Sequence, residues 1–319
     1  MRTALITGIT GQDGGYLAEQ LLADGVAVHG LVRPEEALPE ALTDLGGAVT
    51  LHALQLGDEG ALRQALQASA PSELYNLAGL SSVALSWEQP SLTATVNGTF
   101  VARLLDLVWQ EQEWRGEQIA FVQASSAEIF ADAPVTPQDE TTPMSPRSPY
   151  GASKAFAHHL VQVFRARGLH ASNAILYNHE SPRRPASFVT RKITSTVAAI
   201  ASGTASGIEL GNLDARRDWG WAPEYVDAMV RLARHIEGAD VVIATGVSHT
   251  VADFVAAAFA RVGIVDWQDL VTTNPAFVRP VDAVELVGNP ARARDLLGWQ
   301  PRVGFEELVG RMVDADSQG

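Results

Sequence analysis

The stretch TALITGITGQDG, Thr3 to Gly14, decides the fold. Its first five residues are an apolar run of strand length, and a helix-period pattern over residues 16–24 follows. Between them, Gly8, Gly11 and Gly14 permit a tight turn, close approach of backbone to a phosphate, and tight packing of helix on strand. The helix N-terminus then turns free N–H groups towards an anion. Glycines near a turn are common, but this position, directly after a first strand, favours dinucleotide binding over a purely structural turn.

The same alternation continues outward. Apolar runs at 26–32, 49–53, 74–78 and 119–124 read as strands, and helical patterns at 61–68 and 101–109 lie between them. Continuous apolar strands alternating with helices predict a parallel sheet covered on both faces. The expected fold is therefore α/β, a Rossmann-type doubly wound parallel sheet with a smaller C-terminal substrate-binding lobe. Later strands are expected at 174–177 and 241–244, and helices at 150–167, 223–236, 251–262 and 305–313. Residues 178–220, rich in Pro, Arg, Gly and Asn, resist a regular assignment, and so long a loop is usually functional. Residues 1–176 are expected to form the dinucleotide-binding core with the catalytic residues. Residues 177–319 are expected to form mainly a nucleotide-sugar lobe, interleaved with the core at about 212–248.

Composition narrows the function. Of 319 residues 46% are hydrophobic and 19% charged, which is too apolar for disorder. A net charge of −14 argues against a nucleic-acid partner. No cysteine is present, so a disulfide scaffold, a thiolate nucleophile and a Cys-ligated metal are excluded, and no metal is expected. No apolar run approaches the roughly 20 residues that cross a bilayer. The N-terminus reads as a strand, not a secretory signal, so no membrane partner and a cytoplasmic location are expected. The charge is also uneven: residues 1–150 carry 19 acids and 6 arginines, whereas residues 151–319 carry 18 acids and 17 bases. The second half holds Arg183-Arg184, Arg191-Lys192 and Arg216-Arg217. Charge runs are usually solvated surface; arginine forks also suit the oxygens of a diphosphate.

Tyr150-Gly151-Ala152-Ser153-Lys154 carries the most chemistry. A separation of four puts Tyr150 and Lys154 on one helical face. A nearby ammonium lowers a phenol pKa from about 10 towards neutrality, which suits it to take a proton from a sugar hydroxyl. Lys154 is one of only two lysines, the other being Lys192. Upstream, strand alternation puts Ser126 and Glu128 on one side, a hydroxyl for the reacting oxygen and a carboxylate beside it; capping is the commoner fate of such residues. Arg33 ends the second strand with no acid at the tip, which favours the 2′-phosphate of NADP over the free ribose hydroxyl of NAD. Asp58 is placed to touch the adenine, and Leu77 and Ala78 end the fourth strand where small residues let a nicotinamide lie close. Gln12, Asp13 and His179 complete the expected cofactor set.

These motifs resemble those of the extended short-chain dehydrogenases/reductases, whose glycine spacing is GxxGxxG, and within them the GDP-mannose 4,6-dehydratases. The resemblance rests on GITGQDG at 8–14, QASSAEIF at 123–130, PRSPYGASK at 146–154 and YNHESPRR at 177–184. It continues through FVTRKIT at 188–194, LGNLDARRDWG at 210–220, VIATG at 242–246 and LGW at 297–299. It implies that Ser126, Glu128, Tyr150 and Lys154 are catalytic, and that Asn178, Glu180, Val189, Lys192, Arg217 and Arg279 surround a GDP-sugar. The implied reaction converts GDP-mannose to its 4-keto-6-deoxy product with NADP in a homo-oligomer, a dimer or tetramer. Departures accompany it. Ser126 replaces a threonine, Ser82 a histidine beside the sugar, and Asp282 a glutamate; Phe100-Val101 replaces Gly-Thr, and Pro34 replaces a second arginine of a longer loop. The rival readings are a GDP-sugar epimerase or 4-keto reductase using the same Ser126, Tyr150 and Lys154, and an inactive cofactor-binding regulatory protein.

Overall fold

The computed structural model describes residues 2–277 and 285–318. Apolar runs set the central sheet. Its strands are β1 (Thr3–Thr7), β2 (Ala27–Val32), β3 (Val49–Ala53), β4 (Glu73–Asn76), β5 (Ala120–Ser126) and β6 (Ala171–Leu176). Further along come β7 (Asn178–Glu180), β8 (Ile208–Leu210), β9 (Arg216–Trp221), β10 (Asp240–Ile243), β11 (Ser248–Thr250), β12 (Val271–Thr273) and β13 (Glu285–Leu286). Seven strands run in the order β10-β6-β5-β4-β1-β2-β3, and every pairing is parallel.

Side chains alternate across this sheet, as a strand period of two demands. Ile6, Tyr75 and Val122 pack on one face with Leu17 and Leu21 of helix Gln12–Ala23 and with Val226 and Met229 of helix Ala222–Ala233. Leu5, Leu74 and Phe121 face the other way, onto Leu62 and Leu66 of helix Glu59–Ser69, Leu104 and Leu105 of helix Phe100–Arg115, and Ala157 and Val161 of helix Pro149–Ala166. The sheet is thus buried on both faces, the doubly wound arrangement. The strand order reverses between β1 and β4, which opens a crevice at their C-terminal ends.

The stretch 178–220, expected to be irregular, is structured. It holds β7, helix Val189–Ala201, β8 and β9. Its strands are only three to six residues long, too short for their period to show in sequence. β9 pairs with β7 and β13 in parallel and with β11 in the opposite sense, and β8 pairs with β12. A third core collects Ile193, Val197, Trp219, Phe254, Leu308 and Met312. Among the described residues, no helix is long and apolar enough to cross a membrane.

Candidate active site

The glycine turn is built by close backbone approach. Gly8 has φ +69°, and a Cβ there would lie 2.7 Å from the Ala78 nitrogen. A Cβ on Gly14 would lie 2.4 Å from the Gly8 carbonyl oxygen and 2.5 Å from Ile9 Cα. Helix Gln12–Ala23 therefore starts hard against the turn, and Gly11, its N-cap, supplies no side-chain cap. Uncapped N–H groups at a helix start form an anion site, and the cradle has no room for side chains on its protein side. These residues fit a dinucleotide phosphate.

The side chains of Gln12 and Asp13 work sideways. Gln12 Nε2 donates to the His179 carbonyl at 3.1 Å, and Ser181 Oγ donates to Gln12 Oε1 at 2.8 Å. His179 donates from Nδ1 to the Tyr177 carbonyl at 2.7 Å and from Nε2 to Asp13 at 2.9 Å. Both ring partners are pure acceptors, so both nitrogens carry protons. Burial opposes that charge, yet Asp13 overrides it and raises the imidazole pKa; burial likewise opposes the Asp13 carboxylate, which His179 holds below the ordinary range. This ion pair clasps the first helix to β7.

At the strand tips, Thr7 Oγ1 donates to Asn76 Oδ1 at 2.6 Å and accepts from the Ala78 nitrogen at 3.0 Å, and Leu77 N donates to the Thr7 carbonyl at 3.2 Å. The fourth strand consequently ends at Asn76 and turns, two residues earlier than its apolar run suggests. Asp58 spends its carboxylate as N-cap of helix Glu59–Ser69, accepting from Ala61 N at 2.9 Å. Arg33 is exposed just past β2, and its Nε meets Glu36 Oε2 at 3.2 Å; Glu36 Oε1 accepts from Thr10 Oγ1 at 2.9 Å. An acid does therefore reach this tip, contrary to the sequence reading, because the chain folds back over the glycine loop.

Tyr150 and Lys154 lie on the first turns of helix Pro149–Ala166, which Pro149 and the cap Ser148 start, Ser148 Oγ accepting from Gly151 N at 3.0 Å. Both are buried, and Lys154 Nζ sits 5.8 Å from the Tyr150 ring centroid. The phenol is not brought towards neutrality as expected. Burial pushes it up to about 12, with the Glu128 charge adding and a Ser126 hydrogen bond and Arg184 opposing. Lys154 gives little help because burial brings its own pKa down to about 8 and its ammonium donates to the Ala124 carbonyl at 2.9 Å.

Ser126 ends β5 and caps the 3-10 turn Ala127–Phe130, accepting from Glu128 N at 3.3 Å. Glu128 thus follows Ser126 in a turn, where continued strand alternation was expected. A Cβ on Gly151 would lie 2.6 Å from the Glu128 carbonyl oxygen, so that glycine lets the tyrosine helix close on this turn. Two residues escaped the sequence reading. Asn97, in a π-helical turn Thr95–Thr99, accepts from Leu80 N at 2.9 Å and donates to Ser153 Oγ at 3.2 Å, tying the β4 loop to the tyrosine helix. Such turns frequently mark functional sites, but nothing local in TVNGT announces one. Arg184, unsorted within its pair, is the cation that reaches Tyr150, Asp13 and His179 electrostatically.

The cation pairs divide their labour. Arg183, Arg191 and Arg216 are anchored to Glu19, Asp316 and Glu285. Their neighbours are Arg184, stacked on Phe188; Lys192, 4.0 Å from the Phe277 ring centroid with Nζ donating to the Glu209 carbonyl at 2.7 Å; and buried Arg217, donating to the Arg216 carbonyl at 2.7 Å. Glu180 is buried, accepts from Thr190 Oγ1 at 2.7 Å and is ion-paired with Arg184 at 3.3 Å. Asn178 starts β7, Val189 opens helix Val189–Ala201, and Ser82 caps helix Val83–Glu88. Arg279 and Asp282 lie outside the described residues. Among the described residues, no cluster of three acids or histidines could hold a metal ion.

Matched against protein families, residues 5–312 fit the one described as GDP-mannose 4,6 dehydratase. The chain belongs to the GDP-mannose 4,6-dehydratase family. Among its relatives, GDP-mannose 4,6 dehydratase 1 of Arabidopsis thaliana is 45% identical over 325 residues, spanning 99% of this chain and 90% of the relative. The GDP-mannose 4,6 dehydratase of Homo sapiens is 42% identical, over 98% of this chain and 91% of the relative. A solved structure, the UDP-glucose 4-epimerase of Thermus thermophilus in complex with NAD, superimposes with a TM-score of 0.85 at 26% identity, covering 98% of each chain. RMD from Pseudomonas aeruginosa, complexed with NADPH, shares the fold at a TM-score of 0.81 and 22% identity, over 100% of each chain.

Proposed function

We propose that this enzyme is a nucleotide-sugar lyase that converts GDP-mannose to GDP-4-keto-6-deoxymannose and water. The observation that supports the reading is Glu128, which follows Ser126 in the 3-10 turn Ala127–Phe130 and whose charge reaches the Tyr150 phenol. A simple reductase or epimerase needs the hydroxyl pair; elimination of water needs an added base.

A nicotinamide dinucleotide held in the glycine cradle would supply the redox chemistry, a hydride acceptor for C4 and donor for C6. Ser126 holds the C4 oxygen while Tyr150 takes its proton. Arg184 supplies positive charge towards the phenol, which burial otherwise holds protonated, and Lys154, one helical turn on, serves the catalytic and cofactor sets with its ammonium held by the Ala124 carbonyl. With C4 a ketone the C5 proton is acidic; Glu128 removes it and delivers a proton to the departing C6 hydroxyl. When hydride returns at C6 a proton is delivered to C5, in net terms the one Tyr150 took from the C4 hydroxyl, so atoms balance as one water lost with no net oxidation. Lys192 and Arg217 hold the nucleotide diphosphate, Arg279 joining them, with Asn178 and Val189 beside it. Ser82, Glu180 and Asp282 complete the set around the sugar. Gly8, Gly11, Gly14 and the N–H groups of Gln12 and Asp13 cradle the cofactor, with Leu77, Ala78, Asp58 and His179 along it. Arg33 is the cation for a 2′-phosphate, so NADP is the favoured cofactor. A homo-oligomer in the cytoplasm completes the proposal.

The test is incubation with GDP-mannose and a catalytic amount of NADP, followed by mass spectrometry. Loss of one water from the sugar without net cofactor reduction supports the reading. A product of unchanged mass means epimerisation, and a requirement for stoichiometric reduced cofactor means reduction.

A further inference from the structure

Glu36 stands between the two groups that a cofactor's adenosine ribose would meet. One carboxylate oxygen accepts from Thr10 Oγ1, inside the glycine loop, and the other faces Arg33 Nε at the β2 tip. Its backbone N–H also donates to the Arg33 carbonyl at 3.1 Å, which holds the turn in place. In this fold the ribose 2′ position lies beyond the ends of the first two strands, where an acid recognises a free hydroxyl and an arginine recognises a 2′-phosphate. Here both residue types meet at one tip, and they are bonded to each other.

We propose that Glu36 is a cofactor-specificity residue which makes this chain accept NAD alongside NADP. The 2′-hydroxyl of NAD donates to the carboxylate as it stands and leaves the Thr10 and Arg33 contacts in place. A 2′-phosphate is a second anion. It needs the Arg33 guanidinium that Glu36 already occupies, and it repels the carboxylate at short range. NADP therefore binds only after Glu36 swings away, so Arg33 gives less preference for NADP than an unpaired arginine would. Both ions are near solvent, Arg33 with 69% and Glu36 with 23% of its side chain exposed, so the effect is a graded shift in preference and not an absolute block.

This inference rests on the nicotinamide-binding reading and is independent of the reaction that follows. The experiment is calorimetric titration of the full chain, stripped of cofactor, with NADP and separately with NAD. Fragment titrations with 2′,5′-ADP and 5′-AMP isolate the 2′-phosphate. Wild-type protein should bind the two cofactors within about tenfold of each other. Glu36→Gln keeps the shape and the Thr10 contact but removes the charge; it should raise the NADP-to-NAD affinity ratio at least about tenfold, or 1.4 kcal/mol. It should shift the fragment ratio in the same sense. Thr10→Val, which leaves the charge, should shift neither ratio comparably. A ratio unmoved by Glu36→Gln in both titrations overturns the proposal. So does a wild-type preference for NADP of more than a hundredfold. If the ratio shifts while GDP-mannose is left intact, the dehydratase reading fails and this one stands.

Discussion

Replacing Gly14 by alanine tests how the cradle is built. The new Cβ would lie 2.4 Å from the Gly8 carbonyl oxygen, 2.5 Å from Ile9 Cα and 2.7 Å from the Ile9 carbonyl carbon, against an ordinary contact of 3.4–4 Å. All three neighbours are backbone, so no side chain can swing aside and the helix start must recede by roughly 1 Å. Overpacking of this kind costs about 1–3 kcal/mol. Alanine's better helix propensity returns up to about 1 kcal/mol; with three backbone atoms under 3 Å the overpacking lies at the upper end of its range, so a net loss of about 2 kcal/mol remains. In a chain of this size that lowers Tm by a few degrees. Receding N–H groups also loosen the phosphate site. Gly11→Ala makes the control: its Cβ would meet only the Gly8 carbonyl oxygen, at 3.3 Å, and Gly11 has an extended backbone any residue adopts. That variant should keep its Tm and lose cofactor affinity, because the added methyl intrudes on the phosphate from the open side. The assay is thermal unfolding without cofactor, paired with calorimetric titration of the dinucleotide. An unchanged Tm in Gly14→Ala, or equal losses in both variants, would refute the reasoning.

Arg33→Ala should weaken NADP more than NAD in the same titration; equal weakening would place the 2′ position elsewhere. Arg217→Ala should lose GDP affinity, by about 2–5 kcal/mol for a buried charged partner, while cofactor binding is retained, as calorimetry with GDP will show. Lys154 has a folded pKa near 8, below its unfolded value of 10.5, so the unfolded chain binds the extra proton between those limits. Its charge is therefore a folding penalty that fades as pH rises through that window. Lys154→Met should be inactive, and its stability relative to wild type, followed by urea unfolding, should be greatest below pH 8 and shrink towards pH 10; a difference independent of pH would contradict this.

What the sequence makes legible is what local pattern encodes. Each strand of the central sheet overlaps an apolar run, because a sheet buried on both faces favours such residues, although β6 begins three residues earlier than its run and includes buried Ser172 and Asn173. GITGQDG and YGASK are equally plain, since a turn and a helical face depend on residues close together. Long-range pairing is not plain. Arg183 and Arg184 look alike in sequence, yet Glu19 captures one while Glu180 pairs with the other, whose charge reaches Tyr150. Glu36 lies four residues past β2 and becomes a site residue only because the chain turns back to Thr10. The expected lowering of the Tyr150 pKa failed for a related reason: spacing puts Lys154 on the right face but says nothing of the Ala124 carbonyl that holds its ammonium, or of the burial that raises the phenol.

The central claim is an internal redox elimination with Glu128 as base, and GDP-mannose carrying deuterium at C4 tests it most directly. Product from wild-type protein should carry that deuterium on the C6 methyl group and a solvent hydrogen at C5. Glu128→Gln should form little product and exchange no C5 hydrogen. Deuterium lost to solvent or kept at C4, or wild-type turnover in Glu128→Gln, would contradict it.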